Sequence, residues 1–227
     1  MSELPESLRT TTVAVLGGTG PQGRGLARRL AMAGVPVVLG SRDATRGEQA
    51  AETLKADVGA DAPITGSDNA GAAAQGDIVL VVVPWDGHGE LLESLAGDLA
   101  GKVVVDCVNP LGFDKQGPYP LDVEDGSAAQ QAARILTDST VVAAFHNVSA
   151  VLLEDASVAE VPTDVLVLGE DRDAVELVCD LASVVPGMRG LYGGRLRNAH
   201  QVEALTANLI AINRRYKTHA GVRITDL

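Results

Sequence analysis

The run Val13-Ala14-Val15-Leu16 leads directly into Gly17-Gly18-Thr19-Gly20-Pro21-Gln22-Gly23, and no other stretch of the 227-residue chain limits its fold so strongly. An apolar strand that breaks into glycines and then opens a helix is the entry to a βαβ unit that holds a dinucleotide pyrophosphate. Gly18, Gly20 and Gly23 carry the G-x-G-x-x-G spacing. In such a turn the first glycine permits the tight bend, the second lets backbone approach phosphate, and the third lets helix and strand pack closely. Pro21 suits the first helical turn, where a missing N–H costs nothing, and the amides that remain face the anion with the helix dipole behind them.

Apolar runs continue to alternate with helical periodicity, the pattern of βαβ units around a parallel sheet. Near-continuous Val, Leu and Ala at 12–16, 35–39, 78–83, 102–106 and 140–144 predict strands buried on both faces, and 63–65 predicts a shorter one. Helices are expected over 22–33, 45–55, 68–74, 87–99 and 127–136, with a loose lead at 1–10 and a loop at 109–125 placed to cover a site. Strands at 164–168 and 189–192 and helices at 171–184 and 196–218 follow. The predicted class is therefore α/β: a Rossmann-type doubly wound parallel sheet over residues 1–150, with a smaller C-terminal α/β unit over 151–227. The expected site is a cleft between them, at the carboxyl ends of the strands.

Charge and cysteine usage narrow the function classes. A formal net charge of −12 opposes a polyphosphate backbone, so nucleic acid is not an expected partner. No run of 18 or more apolar residues occurs and the N-terminal residues are acidic, so the sequence reads as a cytoplasmic protein with no membrane partner. Cys107 and Cys179 lie far apart without C-x-x-C spacing, and no metal site is expected. His88, His200 and His219 lack metal-ligand spacing and read as surface residues.

The choice of dinucleotide turns on the end of the second strand. An NAD-selective site places a carboxylate there for the ribose 2′-hydroxyl. This chain has Gly40-Ser41-Arg42, with Arg46 one helical turn further on. A hydroxyl and two guanidinium groups donate to a 2′-phosphate, so NADP is favoured. Asp43 is the discordant neighbour, placed to hold the ribose diol instead. Val83 and the lone tryptophan, Trp85, stand at the end of the fourth strand, where the nicotinamide half of the cofactor passes. Asn109, Asn147 and Ser149 offer polar groups after the fifth and sixth strands. His146 is the histidine at a strand end facing the cleft.

Gly17-Gly18-Thr19-Gly20, Gly40-Ser41-Arg42, Pro84-Trp85, the strand end bearing His146, and the segment from Leu196-Arg197-Asn198 to Leu205-Thr206 occur together here. In that order and separation they resemble the F420-dependent NADP reductases, over nearly the whole chain from Thr12 onward. The resemblance implies direct hydride transfer between the deazaflavin coenzyme F420 and NADP, both bound in the cleft. It assigns Thr19, Gly20, Pro21 and Gln22 to the pyrophosphate, and Ser41, Arg42 and Arg46 to the 2′-phosphate. It assigns Val83, Trp85, Asn109 and Ala150 to the ribose and nicotinamide, and His146, Val148 and Ser149 to the deazaflavin. Pro21-Gln22 replaces the family's frequent Asn-Leu, Arg46 its common lysine, and Asn109 and Ser149 its usual apolar residues or proline.

Hydride transfer between two planar carriers is chiefly a positioning problem, with donor and acceptor carbons about 3 to 3.5 Å apart. No obligatory catalytic residue is expected, His146 being the candidate to contact the deazaflavin or manage its proton. An NADPH-dependent reductase of a small carbonyl or imine is one alternative, and a non-catalytic NADPH-sensing module another. The apolar stripe Val202, Leu205, Leu209 and Ile212 on the final helix fits intramolecular packing or a second copy of the chain, and a homodimer is the expected assembly.

Overall fold

A computed structural model describes residues 4–227. Its centre is an eight-stranded sheet ordered β10-β9-β8-β5-β4-β1-β2-β3. Strands β1 (Val13–Leu16), β2 (Val37–Ser41), β3 (Ile64–Asp68), β4 (Ile78–Val81), β5 (Val103–Asp106) and β8 (Thr140–Ala143) are parallel neighbours, with β1 pairing both β2 and β4. β1, β2 and β4 are buried at every position, as their unbroken apolar runs require of strands covered by helices on both faces. β3 sits at the sheet edge and is correspondingly more polar.

Helices α1 (Pro21–Met32), α2 (Ala44–Val58), α3 (Asn69–Gln75), α4 (His88–Leu99) and α5 (Ala128–Ile135) form the crossovers. Asp43, Asp68 and Ser127 cap α2, α3 and α5, each accepting from a backbone N–H three residues on. Two apolar clusters fill the space between sheet and helices. One gathers Leu26, Leu30, Val105 and Val178, and the other gathers Val79, Val81, Leu92 and Ala132 on the opposite face.

Beyond residue 150 the same sheet continues. β9 (Thr163–Gly169) joins β8 antiparallel, and β10 (Met188–Gly194) joins β9 in parallel. Short α6 (Ala150–Glu154) precedes β9, α7 (Arg172–Ser183) lies between β9 and β10, and α8 (Ala199–Tyr216) closes the chain's helical part. The sheet thus runs unbroken across the position that separates the two predicted units. The expected 109–125 loop contains a hairpin, β6 (Leu111–Asp114) with β7 (Gly117–Pro120), which stands apart from the main sheet.

Part of the expected loose lead is packed. Glu6–Leu8 form one 3-10 turn, Leu8 is wholly buried, and the Ser7 hydroxyl donates to Asp180 at 2.8 Å. The lead's first three residues lie outside the described ones. Among the described residues no helix is long and apolar enough to cross a membrane.

Candidate functional site

The glycine turn forms where β1 ends between β2 and β4, the point at which strand order reverses. Gly17 takes φ +72°, and a Cβ there would press on the backbone of Val82. The left-handed residue of the turn is thus Gly17, one position before the glycine expected to make the bend. Gly18 is held small by Leu39 and Val15, and Gly23 by the close approach of helix and turn at Gly18. Gly18 donates to the Gly40 carbonyl at 2.9 Å, which ties the turn to β2. Asn69, buried at the start of α3, accepts from the Gly17 amide at 3.3 Å. Nothing in the local sequence pattern marked Asn69, since its role depends on β3 and α3 folding back beside the turn.

A groove of about 600 Å³ runs over this edge, lined by Thr19 and Gly20 of the turn, Ser41, Arg42 and Arg46 of the second βα unit, Asn69, and Val82 to Pro84. Six predicted residues, Thr19, Gly20, Ser41, Arg42, Arg46 and Val83, therefore meet in one concavity. Arg42 and Arg46 are exposed, and neither forms an ion pair among the described residues. Asp43 caps α2, its carboxylate accepting from the Arg46 amide at 3.1 Å.

The other predicted residues are placed differently. Pro21 opens α1, and Gln22 Nε2 donates to the Phe145 carbonyl at 3.0 Å. Trp85 is half-buried beside the His88 ring, with centroids 5.5 Å apart. Asn109 Nδ2 donates to the His146 carbonyl at 3.2 Å, and Thr206 Oγ1 on α8 donates to the same oxygen at 2.8 Å. Ser149 caps α6, whose first residue is Ala150, and Val148 is buried in the core. Asn147 donates to the Thr163 hydroxyl and the Asp164 carbonyl, which stitches this loop to β9.

Phe145 and His146 form an unusual pair. Phe145 is fully buried at φ +64°, a region that side-chain-bearing residues seldom occupy and that concentrates at functional sites. His146 is 2% exposed, and neither ring nitrogen has a hydrogen-bond partner among the described residues. Burial holds its pKa down to about 4, so the ring is neutral at pH 7 and has one donor and one acceptor to offer.

His88, expected at the surface, is wholly buried. Its Nε2 donates to Asp106 Oδ2 at 2.6 Å, and its Nδ1 faces Gln131 Oε1 at 2.9 Å. Burial is the largest single influence and opposes the charge, but the hydrogen bonds to Asp106 and Gln131 and the nearby charges of Asp106 and Glu203 together outweigh it, and the pKa lies above that of an ordinary histidine. Glu203, on α8, is 1% exposed and accepts from the Ala128 and Ala129 amides at 3.0 and 3.2 Å, at the start of α5. Desolvation pushes its pKa up to about 7. The sequence offered one faint signal for Glu203, a carboxylate set inside the apolar stripe of the last helix.

The strand order and the glycine turn put the chain in the class of Rossmann-type dinucleotide-binding proteins. Residues 12–110 match the family described as NADP oxidoreductase, coenzyme F420-dependent. The F420-dependent NADP reductase of Methanothermobacter marburgensis is 40% identical over 95% of this chain and 98% of its own. That of Methanocaldococcus jannaschii is 39% identical, again over 95% and 98%. A crystal structure from Arthrobacter sp. FB24, provisionally described as an F420-dependent NADP reductase, superposes with a TM-score of 0.77 at 27% identity, covering 95% of this chain and 99% of that one. The chain belongs to the F420-dependent NADP reductase family.

Proposed function

We propose that this protein transfers a hydride directly between coenzyme F420 and NADP, with both substrates held over the carboxyl edge of the sheet. The observation that carries the NADP half is the Ser41, Arg42 and Arg46 set. Two arginines without carboxylate partners among the described residues stand beside a glycine turn in a chain with 30 acidic residues. Such a set repels nothing in a 2′-phosphate and donates to it in a geometry suited to its oxygens. Thr19 and Gly20 then face the pyrophosphate, and Val83 and Trp85 border the nicotinamide end.

The deazaflavin half rests on family membership and on His146. A buried ring with two unpartnered nitrogens beside a strained residue needs an explanation, and a polar ring edge entering beside Asn109 and Ala150 would supply the missing partners. The site supplies position rather than a nucleophile: the nicotinamide and deazaflavin carry the redox chemistry, and the chain aligns their reacting carbons and excludes water. A carbonyl or imine reductase is not favoured. No lysine lines the groove, and Lys102 is bonded to the Ala74 and Gly76 carbonyls, remote from the groove lining. The 18-residue α8, with Ile212 and Tyr216 exposed, supports assembly as a homodimer. We place this reaction in the cytoplasm.

The test is the absorbance of oxidised F420 near 420 nm after adding NADPH or NADH to the purified protein. Loss of the band with NADPH, and much less with NADH, is expected. No loss with either, in protein shown to bind NADPH, would overturn the reading.

A further inference from the structure

We infer that Asp106 is a positioning residue for hydride transfer, one buried carboxylate that joins the β4–α4 connection, which lines the groove, to the β5–β6 connection that carries Asn109. The inference rests on the function proposed above. Asp106 ends β5 and is fully buried. Its Oδ1 accepts from the Val108 amide at 3.1 Å, immediately before Asn109. Its Oδ2 receives His88 Nε2 at 2.6 Å, at the start of α4 and next to Trp85. A single side chain therefore spans the β4–α4 and β5–β6 connections.

His88 Nδ1 meets the Gln131 oxygen at 2.9 Å. Both ring nitrogens have hydrogen-bond partners, so the ring is clamped between β5 and α5. The groups that face this pair from the surrounding elements are Glu203 of α8, His146 of the loop after β8, and Cys107 beside Asp106. The hydrogen bonds to Asp106 are directional, and they tie the segment that carries Trp85 and His88 to the one that carries Val108 and Asn109.

The transfer depends steeply on distance, so a shift of either loop by a fraction of an ångström lowers the rate of the chemical step more than it weakens binding. Asp106→Asn keeps an acceptor for Val108 and removes the charge that holds His88. With 4-deuterated and ordinary NADPH and F420, the expected result is a fall in kcat of roughly tenfold or more, a KM for NADPH within about twofold, and a larger primary isotope effect. Fluorescence of the single tryptophan, Trp85, should change as the His88 ring beside it loses its carboxylate partner. If Asp106→Asn does not fold, His88→Gln is measured instead, with the same kinetic expectation. A folded variant with unchanged kcat and isotope effect overturns the positioning role while wild-type activity leaves the proposed function standing. Wild-type protein that leaves F420 oxidised overturns both.

Discussion

Gln22 Nε2 donates to the carbonyl oxygen of Phe145 at 3.0 Å, joining the first turn of α1 to the residue that leaves β8 in a left-handed conformation. The bond helps to keep a strained peptide in place directly before His146. Gln22→Leu keeps the volume and removes the donor. Its expected cost is about 1 kcal/mol in stability, read from urea denaturation, together with a raised KM for F420 and an unchanged KM for NADPH. An NADPH effect without an F420 effect would return Gln22 to the pyrophosphate role that sequence resemblance implies.

Arg42 and Arg46 carry the choice of dinucleotide. Arg42→Ala and Arg46→Ala should each lower kcat/KM for NADPH by roughly tenfold to a hundredfold, the loss of a charge-assisted hydrogen bond, and leave kcat/KM for NADH nearly unchanged. Equal losses with both dinucleotides would show that these side chains shape the groove rather than read the 2′-phosphate.

Glu203 makes stability depend on pH in a calculable direction. Its folded pKa, pushed up to about 7 mainly by desolvation, lies above the unfolded value of 4.5. The folded form therefore holds a proton that the unfolded form releases. The corresponding stability is complete below about pH 4.5 and is lost as pH rises through about 7. Glu203→Gln removes this slope, so the difference in stability between wild type and variant should move in the variant's favour from pH 5 to pH 8. Urea denaturation at the two pH values checks it, and a constant difference would rule the linkage out.

Asp164 works in the opposite sense. Its buried carboxylate receives Arg189 at 2.7 and 2.6 Å, Arg223 at 2.7 Å and the Ile224 amide at 2.7 Å, binding the residues after α8 to β9. Hydrogen bonding from Arg189, against the effect of burial, holds its pKa well below the usual carboxylate range. The stability it contributes is present above the unfolded value near about 4 and is lost as pH falls below it. Asp164→Asn should lower Tm at pH 7 by roughly 5 °C or more, with the gap narrowing in acid.

The parts of the fold that could be read from sequence share one physical property. Strands buried on both faces must be apolar at successive positions, so β1, β4 and β5 announce themselves, and glycines forced by close approach mark the turn between β1 and α1. What could not be read depends on contacts between distant segments. His88 looks like any polar residue opening a helix until β5 brings Asp106 beneath it and α5 brings Gln131 alongside. Arg29 lies in an otherwise ordinary helix, yet it is 2% exposed and donates to the carbonyls of Leu152, Leu153, Asp155 and Val158 at the end of α6. β6 and β7 are short and rich in Gly and Pro, so they carry no strand periodicity, and their pairing shows only in three dimensions.

The antiparallel join of β8 to β9 has a positional consequence. Two residue pairs, Val142 with Gly169 and Ala143 with Leu168, form its ladder, against four pairs between β5 and β8. Past Ala143 the left-handed Phe145 ends the ladder, and the Asn147 side chain takes over as a point weld to the Asp164 carbonyl. The ladder between β8 and β9 is therefore short, and the neighbours of His146 on either side, Phe145 and Asn147, lie where one part of the sheet is joined to the other.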